Sequence, residues 1–172
     1  DGWTGDTDIL SIVNDDELRY YDSDSNNHVV YKTLNDDRVD FIFEVAYYCK
    51  NPGAESWAAV AIQDADTGDR WTDSGSTSNA TYRQFYRVGA TLRNLYNSFA
   101  WSTVYRWKIN VRRSATKLDY YLYDEDGSLL ASTTDKGPGW PAGGSPDKAN
   151  QLIIGAGSAA RSDTRFKLIR TR

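Results

Sequence analysis

The residues best equipped for chemistry in this chain are outward-facing aromatics, arginines and amides on alternating segments. In Trp57–Asp64, branched Val60 and Ile62 turn inward, so Trp57, Ala59, Ala61 and Gln63 turn out. Two alanines between a Trp and a Gln make a low floor. In Thr81–Val88, Tyr82, Tyr86 and Val88 turn inward and Arg83 and Arg87 outward. Later segments present Arg106 and Lys108, then Tyr121 and Tyr123. Aromatic faces stack on apolar ligand faces. Arg and Gln hydrogen-bond hydroxyls, and Arg clamps carboxylates or sulfates through two N–H groups. If these segments share one sheet, they form one binding patch. The same residues would serve equally as a solvated sheet face whose arginines pair with acids such as Asp119. Trp71, after the DADTGDR turn, and Trp140, in a Pro/Gly-rich stretch, would either wall a groove or cap the core.

Other chemistries find fewer residues. A glycosidase needs paired carboxyls about 5–9.5 Å apart. Asp40 and Glu44 share a strand face, but four residues of strand rise put them about 13 Å apart. His28, the sole histidine, stands beside Asn26-Asn27 and reads as a surface turn residue. It keeps a proton-abstracting lyase open, with Tyr, Arg and Gln as helpers. Cys49 is the only cysteine, and its place on an apolar strand face predicts a buried thiol. The carboxylate-rich turns Asp64-Ala65-Asp66-Thr67-Gly68-Asp69 and Asp22-Ser23-Asp24-Ser25-Asn26 suit either local hydrogen bonding or a structural Ca²⁺, with Asp64, Asp66, Asp22 and Asp24 as ligands. Asn79-Ala80-Thr81 is a glycosylation acceptor wherever the source modifies exported chains.

The elements that must position these residues are strands. Arg38–Cys49 alternates with Val39, Phe41, Phe43, Val45, Tyr47 and Cys49 on one face. Tyr105–Arg113 and Leu118–Asp124 do the same. Further strands are expected at Ile9–Val13, Glu17–Tyr21, Val29–Leu34, Ser128–Ser132, Gln151–Gly155 and Thr164–Arg170. Turn dipeptides separate them, and Asp126-Gly127 is the strongest hairpin signal. Ala90–Asn97 fits a short helix or a strand. Lys136–Lys148 holds three of the four prolines and reads as a long loop. About eleven short strands in 172 residues predict one all-β domain over residues 1–172, a two-sheet antiparallel sandwich.

The order of features also resembles the concanavalin A-like, or laminin G-like, jelly-roll superfamily. An early Gly2-Trp3 precedes a short strand pair. Then come the long FIFEVAYY strand, a strand ending in QDADTGDRW, the WKINVRR–KLDYYLYDEDG–SLLAS meander, NQLIIGAG, and a closing RFKLIRT. The resemblance implies a ligand on the concave sheet. It also implies a role among carbohydrate binding, polysaccharide cleavage and protein adhesion, and it favours the calcium expectation.

Composition narrows the partners. The chain carries 12 Tyr and 6 Trp, suited to half-buried sheets and wet binding surfaces. Net charge is −4, but residues 1–69 are strongly acidic and residues 70–172 basic, which points to an acidic partner or to internal complementarity. An acidic pI of 5.0 and the lack of an aromatic RNA-binding signature argue against nucleic acid. No apolar run approaches the length of a membrane-spanning helix, so no insertion is expected. The absence of methionine reads as a processed or excised chain of a secreted or surface protein. Together these features predict a non-catalytic domain that binds a polysaccharide, an acidic one on the charge argument. A lyase or hydrolase of the same fold and a protein-binding module are the alternatives.

Overall fold

The computed structural model describes residues 2–14, 16–24, 28–34, 40–50, 57–77, 83–98, 100–138, 146–155 and 162–172, with Trp57, Ala58 and Arg83 described by their backbone. Two seven-stranded antiparallel sheets pack face to face. In chain order the strands are β1 (Trp3–Gly5), β2 (Leu10–Val13), β3 (Glu17–Asp22), β4 (Val29–Thr33), β5 (Asp40–Lys50), β6 (Trp57–Gln63), β7 (Arg70–Thr77), β8 (Arg83–Val88), β9 (Thr91–Tyr96), β10 (Tyr105–Arg112), β11 (Lys117–Tyr123), β12 (Leu129–Lys136), β13 (Gln151–Gly155) and β14 (Ser162–Thr171). Sheet A runs β1-β4-β13-β6-β7-β8-β9, and sheet B runs β12-β11-β10-β5-β14-β3-β2. No described helix is long and apolar enough to cross a membrane.

Alternation builds the core. Sheet B turns Phe43, Val45, Tyr47 and Cys49 inward from β5, Trp107, Ile109 and Val111 from β10, and Leu118, Tyr120 and Leu122 from β11. Sheet A answers with Val30, Val60, Ile62, Leu152 and Ile154. Cys49 is fully buried, as expected, and burial pushes its thiol up to about 12.

Among the described residues fourteen strands form, where about eleven were expected. Ala90–Asn97 yields strand β9. The segment around Trp71 is not a loop but strand β7. Beyond Trp71 its inward side chains are hydroxyls, Thr72, Ser74 and Ser76, all buried. They are tolerated because they are bonded. Ser76 Oγ lies 2.7 Å from the Tyr47 hydroxyl and donates to Gln84 Oε1 at 2.9 Å. Gln84 Oε1 also accepts from Tyr47 Oη–H (3.1 Å) and Trp107 Nε1–H (3.2 Å). These bonds, all converging on Gln84 Oε1 while Gln84 Nε2 is left without a partner, specify the facing of the sheets.

The Asp126-Gly127 hairpin forms as expected between β11 and β12. Gly127 takes φ +88°, and Asp124 Oδ1 accepts the Ser128 N–H at 2.7 Å.

Candidate functional site

Register across sheet A defines the site. Because Val60 and Ile62 face the core, Ala59, Ala61 and Gln63 face out. Strand pairing then aligns three outward rows. Gly155, Ala59, Gly75 and Phe85 are in register on β13, β6, β7 and β8. On one side, about 6.6 Å along the strands, lie Ile153, Ala61 and Asp73, with Arg87 beside Asp73. On the other lie Trp57, Thr77 and Arg83. Beyond the Ala61 row come Gln151, Gln63 and Arg70. Three residues with no more than a methyl side chain thus form a trough floor across adjacent strands, with Asp73 and Arg87 in the row on one side and Thr77 in the row on the other.

The polar groups beside this floor are held firmly. Asp73 Oδ2 accepts from Arg70 Nη1 at 3.1 Å and lies 3.3 Å from Arg87 Nε. Gln63 Nε2 donates to Gln151 Oε1 at 2.5 Å. Phe85, Asp73, Ala61 and Ile153 are all buried although they face away from the core. A bulge where Ile62 pairs with Thr72 and Gln63 with Arg70 makes the Arg70–Asp73 contact. It puts Trp71 out of step and sends its ring inward. Trp71 is 2% exposed and donates from Nε1 to the Lys148 carbonyl at 2.9 Å, so it caps the core rather than walling a groove.

The expected single patch is corrected. Gln63 and Arg87 lie on the outer face of sheet A, whose strands β6 and β8 also carry Trp57 and Arg83, whereas Arg106, Lys108, Tyr121 and Tyr123 lie on the outer face of sheet B. The two groups are on opposite sides of the molecule, because the β8–β9 hairpin returns to sheet A and the chain crosses to sheet B only at β10. Trp140 and Asn79–Thr81 lie outside the described residues.

Sheet B's outer face is largely an ion-paired surface. Arg19 holds Asp163 through two bonds (2.9 and 2.8 Å). Glu44 accepts from Arg170 (2.6 Å) and Arg172 (2.7 Å), and Arg112 bridges Asp119 and Asp135. Burial pushes the Glu44 carboxyl up, but its two arginines outweigh this and hold it below the ordinary range. Lys108 sits 5.9 Å above the Tyr121 ring, and Arg106 is exposed beside Tyr123.

The two acidic turns differ. Asp64 Oδ1 accepts the Asp66 N–H (3.0 Å), and Oδ2 accepts those of Asp147 (3.1 Å) and Lys148 (3.0 Å). Burial raises the Asp64 carboxyl, and these bonds more than reverse it. Asp66 pairs with the Lys148 ammonium. These oxygens organise a turn and dock the 146–150 segment. Asp22 and Asp24, by contrast, gather with His28 within 4.8 Å.

The sequence matches no family model and no curated protein. Solved structures do match. A sialidase aligns over 99% of this chain and 17% of its own, with TM-score 0.70 and 10% identity. The carbohydrate-binding module CBM66 from Bacillus subtilis aligns over 99% of this chain and 95% of its own (TM-score 0.61, 12% identity). A Lotus tetragonolobus seed lectin aligns over 99% and 91% (TM-score 0.63, 7% identity). The fold is a concanavalin A-like jelly roll. The jelly roll here spans a small part of the sialidase but nearly the whole of CBM66 and of the lectin. At such identities the likeness establishes the fold, and the residues must argue the rest.

The site residues that sequence reasoning missed are Arg70, Asp73, Phe85, Gly75, Gln151 and Gly155. Gln151 was legible, since Leu152 and Ile154 alternate against it. Asp73 and Gly75 were not, because β7 has no apolar face to set its parity.

Proposed function

We propose that this jelly roll is a non-catalytic carbohydrate-binding domain that seats a glycan chain in the trough on the outer face of sheet A. The observation that carries this reading is the in-register floor Gly155–Ala59–Gly75 beside Asp73, with Arg70 and Arg87 on either side of that carboxylate. A flat pyranose needs close approach to backbone over two or three strands, then lateral donors and acceptors. Small residues supply the first, and Arg, Asp and Gln the second. Arginines on this face favour a glycan bearing carboxylates or sulfates. Binding would be extracellular, in a secreted or surface protein.

Hydrolysis of the paired-carboxyl type finds weaker support. Among the outward positions of β6, β7, β8 and β13, Asp73 is the one carboxylate, and it is engaged by two arginines. A lyase in the same trough is the second reading, because Arg70 and Arg87 could neutralise a uronate.

The test is a screen against neutral, uronic and sulfated polysaccharides, read for binding and for new absorbance near 235 nm (the unsaturated product of a lyase). Saturable binding that is lost in Arg87→Ala, without absorbance change, supports the binding domain. Rising absorbance replaces it with the lyase. No binding to any glycan removes both.

A further inference from the structure

We infer that Asp22, Asp24 and His28 form a binding site for a divalent first-row transition ion, with Zn²⁺ as its probe, at the crossover from sheet B to sheet A. The site lies next to the Gly155 end of the trough, where the His28 carbonyl approaches Gly155, but the inference does not depend on the glycan reading.

The position is structural. Strand β3 ends sheet B's run at Asp22, and β4 begins sheet A's at Val29. The Tyr20 hydroxyl donates to the His28 carbonyl at 2.9 Å, which already ties the two sheets at this point. Asp22, Asp24 and His28 each offer one ligand atom, all within 4.8 Å of one another. His28 Nδ1 is 4.0 Å from Asp22 Oδ1, and His28 Nε2 is 3.8 Å from Asp24 Oδ1. Both separations are too long for hydrogen bonds. Small side-chain rotations bring such groups onto one ion at 2.0–2.2 Å.

The groups left unmet are what point to an ion. The Asp22 side chain is 0% exposed, and its Oδ2 has no hydrogen-bond partner. His28 Nδ1 is likewise buried without one. A sequestered carboxylate oxygen beside a sequestered imidazole nitrogen is costly when left bare. Asp64 illustrates the opposite arrangement, with both oxygens met by N–H groups. An imidazole with two carboxylates prefers zinc and its neighbours to calcium, which takes six to eight oxygens. Sequence reading had placed Asp22 and Asp24 together as calcium ligands. It set His28 aside, and His28 is the residue that changes the class of ion.

The test titrates the chelator-stripped chain with Zn²⁺ and, separately, with Ca²⁺ by calorimetry, with thermal unfolding in parallel. One equivalent of Zn²⁺ is expected to bind. At a hundredfold excess over Kd it should raise Tm by roughly 5–10 °C. Co²⁺ in its place should give visible d–d absorption. His28→Gln, which keeps the backbone carbonyl used by Tyr20, should weaken Zn²⁺ at least tenfold, and Asp66→Ala should leave it unchanged. Asp22→Asn is the second ligand variant, and if it does not fold, His28→Gln decides. Failure to bind Zn²⁺ below millimolar, equal affinity in His28→Gln, or tight Ca²⁺ binding that Zn²⁺ does not displace would each overturn the site.

Discussion

Asp73 on β7 and Arg87 on the adjacent β8 meet at 3.3 Å on the outer face of sheet A, where Asp73 also accepts from Arg70. Asp73 thereby aims two guanidinium groups beside a floor of glycine and alanine. Arg87→Ala is expected to weaken glycan binding roughly 10- to 100-fold, the worth of one charge-assisted contact. Asp73→Asn, which releases both arginines, should weaken it with a smaller change in fold stability than Asp73→Leu. Calorimetry on the glycan identified by the screen checks both.

The floor itself can be filled. Ala59→Phe projects a ring into the trough without entering the core, since residue 59 alternates with buried Val60. The expected result is abolished binding with Tm changed by only a few degrees. Tyr121→Ala, on the opposite sheet, should leave binding intact. Loss of binding in Tyr121→Ala would move the site to sheet B.

Inside the sandwich, Gln84→Leu deprives the Trp107 N–H of its acceptor, while Tyr47 and Ser76 keep each other. An orphaned buried donor costs about 1–3 kcal/mol, offset in part because the unpartnered Gln84 Nε2 is removed as well. Tm should therefore fall by a few degrees, measured by thermal unfolding, with glycan affinity unchanged.

Acid should unfold the domain through Glu44 and Asp64. For both, burial raises the carboxyl, but the Arg170/Arg172 pair and the backbone N–H groups respectively hold it below its unfolded value. A depressed carboxyl binds fewer protons folded than unfolded. The stability it gives is therefore complete above about pH 5 and is lost as pH falls through the folded value. Urea midpoints should be flat from pH 7 to about 5 and drop below about 4. In Glu44→Gln the drop should be shallower.

Cys49 should react with a thiol reagent only after unfolding, because burial pushes it up to about 12 and leaves no thiolate at neutral pH. Stopped-flow labelling at increasing urea should follow the unfolding curve. Labelling in buffer would mean that the core opens locally.

Strands with an apolar face were legible from the sequence. β5, β10, β11 and β13 follow the alternation to within a residue or two, because burial on one side dictates residue type. β7 escaped because hydrogen bonds to Tyr47 and Gln84, rather than apolar surface, pay for its burial. Parity correctly put Gln63 and Arg87 on an outward face, but it cannot say which sheet a strand joins. Long-range pairing decides that, and it separated Arg87 from Tyr121. The neighbourhood of His28 was hidden for a related reason. Its partners stand at the end of β3, and only the crossover brings Asp22 within reach.

The sheets end in modest margins. β1 has three residues and β2 four, while β12 carries Asp135 at φ +57° beside Lys136. Unpaired backbone at a margin is where separate copies zip into fibrils, and brevity or charge there denies them a template. If the domain holds a polymer as proposed, copies that meet at β1, β2 or β12 would sit shoulder to shoulder without fusing.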